Sequence, residues 1–167
     1  MKKILIFTAD VFDDREFIYP FYRVQEAGYE VDVAGPEKGK FKSKNGFENE
    51  ANLAFSDAKS EDYDALIIPG GYAPDKIRTN EDALRLTKEF KEAGKPIAMI
   101  CHAGWVAVSA DVIKGVKLTS TPTIKDDMKN AGAQWVDEEV VIDQGFITSR
   151  KPEDLPAFMK ALLEELQ

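Results

Sequence analysis

In the segment Lys95-Pro96-Ile97-Ala98-Met99-Ile100-Cys101-His102-Ala103-Gly104, an apolar run of strand length stops at the chain's one cysteine and passes into small residues that open a helix. A short apolar run with no polar alternation is the pattern of a strand buried on both faces, as in a parallel sheet. A helix directly behind it completes a strand-turn-helix unit, the repeating piece of an α/β sandwich. The helix is read over Ala103 to Val112.

The same unit recurs on the amino-terminal side. Tyr63 to Pro69 is a second continuous apolar strand, ended by Gly70-Gly71, which permit a tight turn at its carboxyl end. Ile4 to Thr8 is another, followed by the acidic stretch Asp10 to Asp14 and a helix from Asp14 to Ala27. Gly28 stops that helix, and Pro20 is expected to bend it. Val31 to Ala34 reads as a strand, and Gly35 to Asn45 as a surface turn and hairpin. Asn80 caps a helix over Glu81 to Ala93 that Gly94 closes. Toward the carboxyl end come a strand over Lys117 to Ser120, a helix over Thr123 to Ala131, and a hairpin or paired edge strands over Val140 to Asp143 and Phe146 to Ser149. Pro152 to Leu166 is the last amphipathic helix. This alternation predicts an α/β three-layer sandwich around a mostly parallel central sheet, in one domain spanning 1–167.

Bulk properties narrow the function. The chain has 167 residues, 44% of them apolar, enough for a core without staples. One cysteine forms no intrachain disulfide, and the chain starts almost directly in a strand, so a cytoplasmic protein is expected. No apolar run approaches the roughly 18 residues of a membrane span. With 22 basic and 30 acidic residues the net charge is −8, so no tight nucleic-acid binding is expected. One His beside one Cys matches no metal-ligand spacing, and Gly70-Gly71 is no phosphate-binding fingerprint. No metal and no cofactor are therefore expected.

In parallel sheets ligands gather beyond the carboxyl ends of the strands, which selects Ala9 to Glu16, Gly70 to Asp75 and Cys101 to Trp105. A thiol at a strand end and helix start feels the positive end of the backbone dipole, which favours a thiolate nucleophile. The competing reading of a lone cysteine is a small buried hydrophobe. His102 is a base or ion partner by position, although neighbours on a tight turn often point apart. Asp75 is the carboxylate that would orient it. Gly70, Gly71 and the His102 backbone supply N–H donors for an oxyanion. Asp13, Asp14 and Glu16 suit a helix start. Turned inward, Glu16 would meet the thiol as an acid or a base.

Several stretches together resemble the PfpI-type intracellular cysteine peptidases of the ThiJ/PfpI superfamily: "FTADVFDDREFIYP", "DYDALIIPGGYAPDKIR", "AMICH", "TSTPTIKDDMKNAGAQWVDEEVVID" and "ITSRKPEDLPAF". The resemblance implies a flavodoxin-like sandwich with Cys101 on a nucleophile elbow, His102 as its partner, Glu16 against the sulfur, and Gly71 with the His102 backbone as oxyanion donors. It implies that Asp75 reaches the histidine of a neighbouring subunit, so that a homodimer or a larger assembly such as a hexamer completes the site. The chain departs from the family where Ala103-Gly104-Trp105 replace Gly-Pro after the histidine, so Trp105 reshapes the pocket. Asp75 stands for a longer glutamate, Thr121 for a tyrosine, and Lys44-Asn45-Gly46 for "KHG". The first functional reading is an intracellular peptidase-like hydrolase. The alternatives are a glyoxalase or deglycase acting on methylglyoxal or early glycation adducts, and a redox-sensing or chaperone-like stress protein. Substrates are thus a small carbonyl compound or a peptide.

Overall fold

Seven of the chain's strands hydrogen-bond into one sheet in a computed structural model that describes residues 1–167. In chain order the elements are β1 (Lys3–Phe7), α1 (Asp14–Glu26), β2 (Glu30–Gly35), β3 (Gly39–Lys42), β4 (Glu48–Ala51), β5 (Leu53–Ala54), β6 (Ala65–Ile68), α2 (Ala73–Ile77), α3 (Glu81–Glu92), β7 (Ile97–Ile100), α4 (Gly104–Ala110), β8 (Lys117–Leu118), α5 (Lys125–Asn130), β9 (Gln134–Trp135), β10 (Val141–Asp143), β11 (Phe146–Ser149) and α6 (Leu155–Glu165). The main sheet runs β10-β11-β7-β6-β1-β2-β5, parallel throughout except for the antiparallel edge strand β10.

The chain steps from β1 outward to β2, then crosses back to β6 and continues the other way through β7 to β11. Right-handed crossovers therefore place α1 on one face and α3 and α4 on the other. Helix α6 returns to pack beside α1. With helices on both sides, β6, β7 and β11 are buried at every residue and β1 at all but Lys3, which is why they read as unbroken apolar runs. Each fully buried Ile, Leu or Phe in this layer contributes about 1.5–3 kcal/mol by leaving water. The point where the strand order reverses lies between β1 and β6, and the carboxyl ends of β1, β6 and β7 open side by side there.

Several boundaries and neighbours differ from the sequence reading. Helix α1 contains Pro20, as read, and ends at Glu26 with Ala27 as its C-cap. The Gly35 to Asn45 hairpin exists, but its second strand is β4, and it is not simply surface. Phe41 is buried against Gly35, where a Cβ would lie 2.8 Å from the ring, and Ser43 is buried as well. Strand β8 leaves the main sheet and pairs with β9, which carries no apolar run to announce it. Strand β11 is an interior strand, so of this pair only β10 is an edge, with β5 at the opposite side of the sheet. A short helix, α2, occupies Ala73–Ile77, with Pro74 in its first turn where no backbone donor is needed. No helix is long and apolar enough to cross a membrane.

Candidate active site

Strand β7 delivers Cys101 to a turn of 3-10 helix, Cys101–Ala103, that leads into α4. Cys101 itself has φ 62°, a left-handed conformation that disfavours any side chain. Its carbonyl accepts the Thr121 N–H at 3.2 Å, which ties the elbow to the loop before α5. The opposing residue is Gly70. A Cβ on Gly70 would lie 2.4 Å from Glu16 Oε1, 2.8 Å from the Cys101 Cβ and 2.9 Å from the Ile100 carbonyl, so its absence makes room for both functional side chains.

The loop after β1 locks onto the loop after β6. The Gly70 carbonyl accepts the Asp13 N–H at 3.1 Å, and the Val11 carbonyl accepts the Tyr72 N–H at 2.8 Å. Gly71, at φ +86°, is so close that a Cβ would meet Asp13 N at 2.4 Å. Val11 holds φ 65°, rare for a β-branched residue. The hairpin's tip completes this seam. Lys44 donates its backbone N–H to the Phe12 carbonyl at 2.9 Å, and Ser43 Oγ donates to Asp14 Oδ2 at 2.6 Å.

Glu16 enters from α1. Asp13 caps the helix by accepting the N–H groups of Arg15 and Glu16, and its carboxylate lies 3.4 Å from both Arg15 and Lys44. One turn in, Glu16 is fully buried. Its Oε1 accepts the Gly70 N–H at 2.9 Å, and Oε2 has no hydrogen-bond partner. Burial, reinforced by the negative charge of Asp13, pushes its pKa up to about 8, against the pull of the Gly70 N–H. At neutral pH Glu16 is therefore a neutral acid, with a proton to offer from the unpartnered side.

The Cys101 thiol does not show the depressed pKa expected from a helix start. Burial comes first and the Glu16 charge second, and together they push it up to about 12 against the backbone N–H groups of His102 and Gly71. The dipole argument concerned α4, which starts three residues later, and it took no account of desolvation. The Glu16 contribution exists only while that carboxyl is ionised. Protonated, it no longer adds to that upward shift.

The His102 ring does reach the sulfur, with Nδ1 at 3.3 Å from Sγ, and its Nε2 lies 3.2 Å from Thr123 Oγ1. Burial and the nearby Lys44 charge lower its pKa, so it faces the thiol as a neutral imidazole and not as an ion-pair partner. Asp75 is not brought to it within the chain. It sits exposed in the first turn of α2 and makes no side-chain hydrogen bond. Trp105 stands 5.1 Å from the His102 ring, its indole N–H donated to Asp127 at 2.8 Å, and the Tyr72 ring lies 6.5 Å from the same imidazole. Thr121 contributes its backbone beneath Cys101.

The structure thus gathers Cys101, His102, Glu16, Gly70, Gly71, Trp105 and Thr121, and leaves Asp75 outside. Sequence reasoning missed Thr123, Tyr72 and the Asp13 and Lys44 pair as parts of the setting. Thr123 lies in the stretch that carried the resemblance, and only its alternation with Thr121 hinted at a role.

The DJ-1/PfpI family model matches residues 2–165. Among curated proteins the chain is 48% identical over 165 residues to deglycase TK1284 of Thermococcus kodakarensis, covering 99% of each chain. It is 43% identical to deglycase PfpI of Pyrococcus furiosus, again over 99% of each. Among solved structures, a two-domain Anabaena variabilis protein with DJ-1/ThiJ/PfpI-like and ferritin-like domains superposes at TM-score 0.98 with 39% identity. That match covers 99% of this chain and 48% of the other.

Proposed function

The chain belongs to the DJ-1/PfpI family, and from that premise we propose that it is a cofactor-independent deglycase, releasing amines from early adducts of small dicarbonyls such as methylglyoxal. The observation that carries this reading is the buried Glu16, held neutral at pH 7 beside Cys101 with Oε2 unpartnered. Such a carboxyl suits the proton transfers that this reaction needs.

In the proposed course the C–N bond of the adduct breaks as Glu16 gives its proton to the departing amine. The Cys101 thiol passes its proton to His102 Nδ1, and the sulfur bonds to the aldehyde-level carbon, forming a hemithioacetal. Glu16, now a carboxylate, takes the proton from that carbon and returns it to the adjacent carbon. As the hydroxyl proton on the first carbon's oxygen passes to the ketone oxygen, the first carbon is oxidised to a thioester and the second reduced from ketone to alcohol, so no outside oxidant or reductant enters. Gly71 and His102 N–H groups hold the developing oxyanion. Water then hydrolyses the thioester to lactic acid, whose proton restores Glu16, while His102 returns its proton to the sulfur and water's other proton passes to solvent, releasing lactate and the thiol.

The sequence put peptidase chemistry first, and two considerations move it to second. Relatives at 48% and 43% identity carry deglycase names, and a hydrolytic triad lacks its orienting carboxylate within the chain. The test uses a preformed methylglyoxal adduct of an N-acetylated lysine, methylglyoxal alone at the concentration the adduct sets free, and a fluorogenic peptide. Each is given to the protein, to Cys101→Ser and to Glu16→Gln. Lactate formed faster from the adduct than from the free aldehyde, and lost in both variants, is the expected result. Equal rates in the protein and Cys101→Ser would overturn the nucleophile, and cleavage of the peptide alone would return the assignment to a peptidase.

A further inference from the structure

Four of the chain's five arginines lie against carboxylates: Arg15 at Asp13, Arg23 at Glu26, Arg85 at Asp82 and Glu89, and Arg150 at Asp137 and Asp154. Arg78 is the exception. In a protein of net charge −8 it has no acidic partner, although Asp75 lies one turn earlier at the start of α2. It is half-buried and held in place. Its Nε–H donates to Ser109 Oγ at 2.9 Å, and its guanidinium carbon stands 5.3 Å from the centre of the Trp105 ring.

Ser109 and Trp105 are four residues apart on α4, so they present one face to the guanidinium. The indole covers one side of the cation and Ser109 takes one of its five donors. The Nη edge, which matches the two oxygens of a carboxylate or phosphate, is left unspent. Trp105 is itself fixed by Asp127 and stands 5.1 Å from the His102 ring, and His102 touches the Cys101 sulfur. The unspent fork is thus linked to the nucleophile through two rings, those of Trp105 and His102. A mostly negative surface repels anions elsewhere, which makes an unpaired, stacked guanidinium here a local point of capture.

We propose that Arg78 is an anion subsite of the Cys101 site, so that the preferred substrates are small adducts bearing a carboxylate or phosphate at some remove from the modified amine. The substrate part of this proposal rests on the deglycase reading, whereas the subsite itself does not. A lysine adduct with a free α-carboxylate has this form, and the same residue inside a protein chain does not.

The first test avoids turnover altogether. Cys101 is alkylated with two maleimides of matched length, one ending in a carboxylate and one in a carboxamide, and the ratio of rates is measured. The protein should prefer the carboxylate reagent about three- to ten-fold, the range of a partly exposed charge-assisted pair. Arg78→Gln should bring the ratio close to one, and Arg78→Lys should give an intermediate value because charge is kept without the fork. Inorganic phosphate and acetate are added in separate arms, and the stronger competitor identifies the favoured oxyanion. An equal ratio in the protein and in Arg78→Gln overturns the subsite. Should Arg78→Gln fail to fold, as judged by thermal unfolding, the Arg78→Lys ratio and the two competition arms decide the matter, and the absence of any effect in them overturns it too.

Methylglyoxal adducts of N-acetyllysine and of its methylamide form the second test. A lower KM for the carboxylate form, lost in Arg78→Gln, is expected. Turnover of neither adduct with the maleimide preference intact removes the deglycase reading and leaves the subsite. Turnover of both at equal KM, without a maleimide preference, removes the subsite and leaves the deglycase reading.

Discussion

The Gly70 N–H donates to Oε1 of Glu16 at 2.9 Å, and it is the one hydrogen bond that this buried carboxyl makes. A strand-end glycine thus sets the orientation of an acid that arrives on a helix 54 residues earlier in the chain. The bond holds one carboxyl oxygen and leaves the other without a partner, so the position of this buried acid depends on a backbone contact between distant segments.

Gly70→Ala is expected to remove activity and to destabilise the fold together. The new methyl would meet Glu16 Oε1 at 2.4 Å and the Cys101 Cβ at 2.8 Å, so one of the two has to move. Overpacking of this kind costs about 1–3 kcal/mol. Urea unfolding and lactate release from the adduct measure the two effects, and a variant with native activity would remove Gly70 from its role.

Glu16→Gln is expected to alter how stability depends on pH. The folded-state pKa of about 8 lies above the unfolded value of 4.5, so between those values the folded state binds more protons. The contribution of Glu16 is therefore fully present below about pH 4.5 and is lost as pH rises through 8, with a slope of about 1.4 kcal/mol per pH unit in that window. Glu16→Gln lacks this slope. Chemical denaturation from pH 5 to pH 9 should show the protein losing stability relative to the variant, and parallel curves would contradict a buried neutral acid. Turnover should fall above about pH 8 for the same reason, because the first step needs the protonated form.

Thr123→Val removes the contact at His102 Nε2. Loss of one hydrogen bond, ~1 kcal/mol, predicts about a five-fold fall in kcat with KM little changed. This fall should hold at every protein concentration, since Thr123 acts within one chain. Asp75→Asn should lower kcat only at concentrations where sedimentation shows the chain self-associated, because Asp75 has no route to His102 in its own chain. An equal loss in dilute and concentrated samples would refute that distinction.

Val11→Asn is expected to raise stability, against the usual direction for replacing an apolar residue. Val11 holds φ 65°, a region costly to a β-branched side chain and tolerated by Asn, and the relief amounts to about 1 kcal/mol. The midpoint of urea unfolding reports it, and a lowered midpoint would show that Val11 packing outweighs the backbone strain.

Much of this was legible in the sequence because the central strands are covered on both faces. Ile97 to Ile100 and Ala65 to Ile68 read as strands for the physical reason that buries them. Cys101, Gly70 and Gly71 were legible because strand ends and glycine pairs mark turns locally. Glu16 could be placed on its helix, but its inward direction stayed one option of two. The contacts between distant segments were beyond reach. Thr123 meets His102 across 21 residues, and Lys44 meets Asp13 across 31. The thiol's pKa was misread for a related reason: a dipole follows from local order, whereas desolvation depends on everything packed around the sulfur.

The left-handed backbone at Cys101 sets the interests of the fold against those of the chemistry. At φ 62° the residue that suits the turn best is glycine, and glycine has no sulfur. Random substitution followed by selection for a robust fold alone should therefore drift toward Gly at position 101, and the nucleophile persists only where selection also reads its reactivity. A library screened for thermal tolerance, then sequenced at this codon, would record that opposition directly.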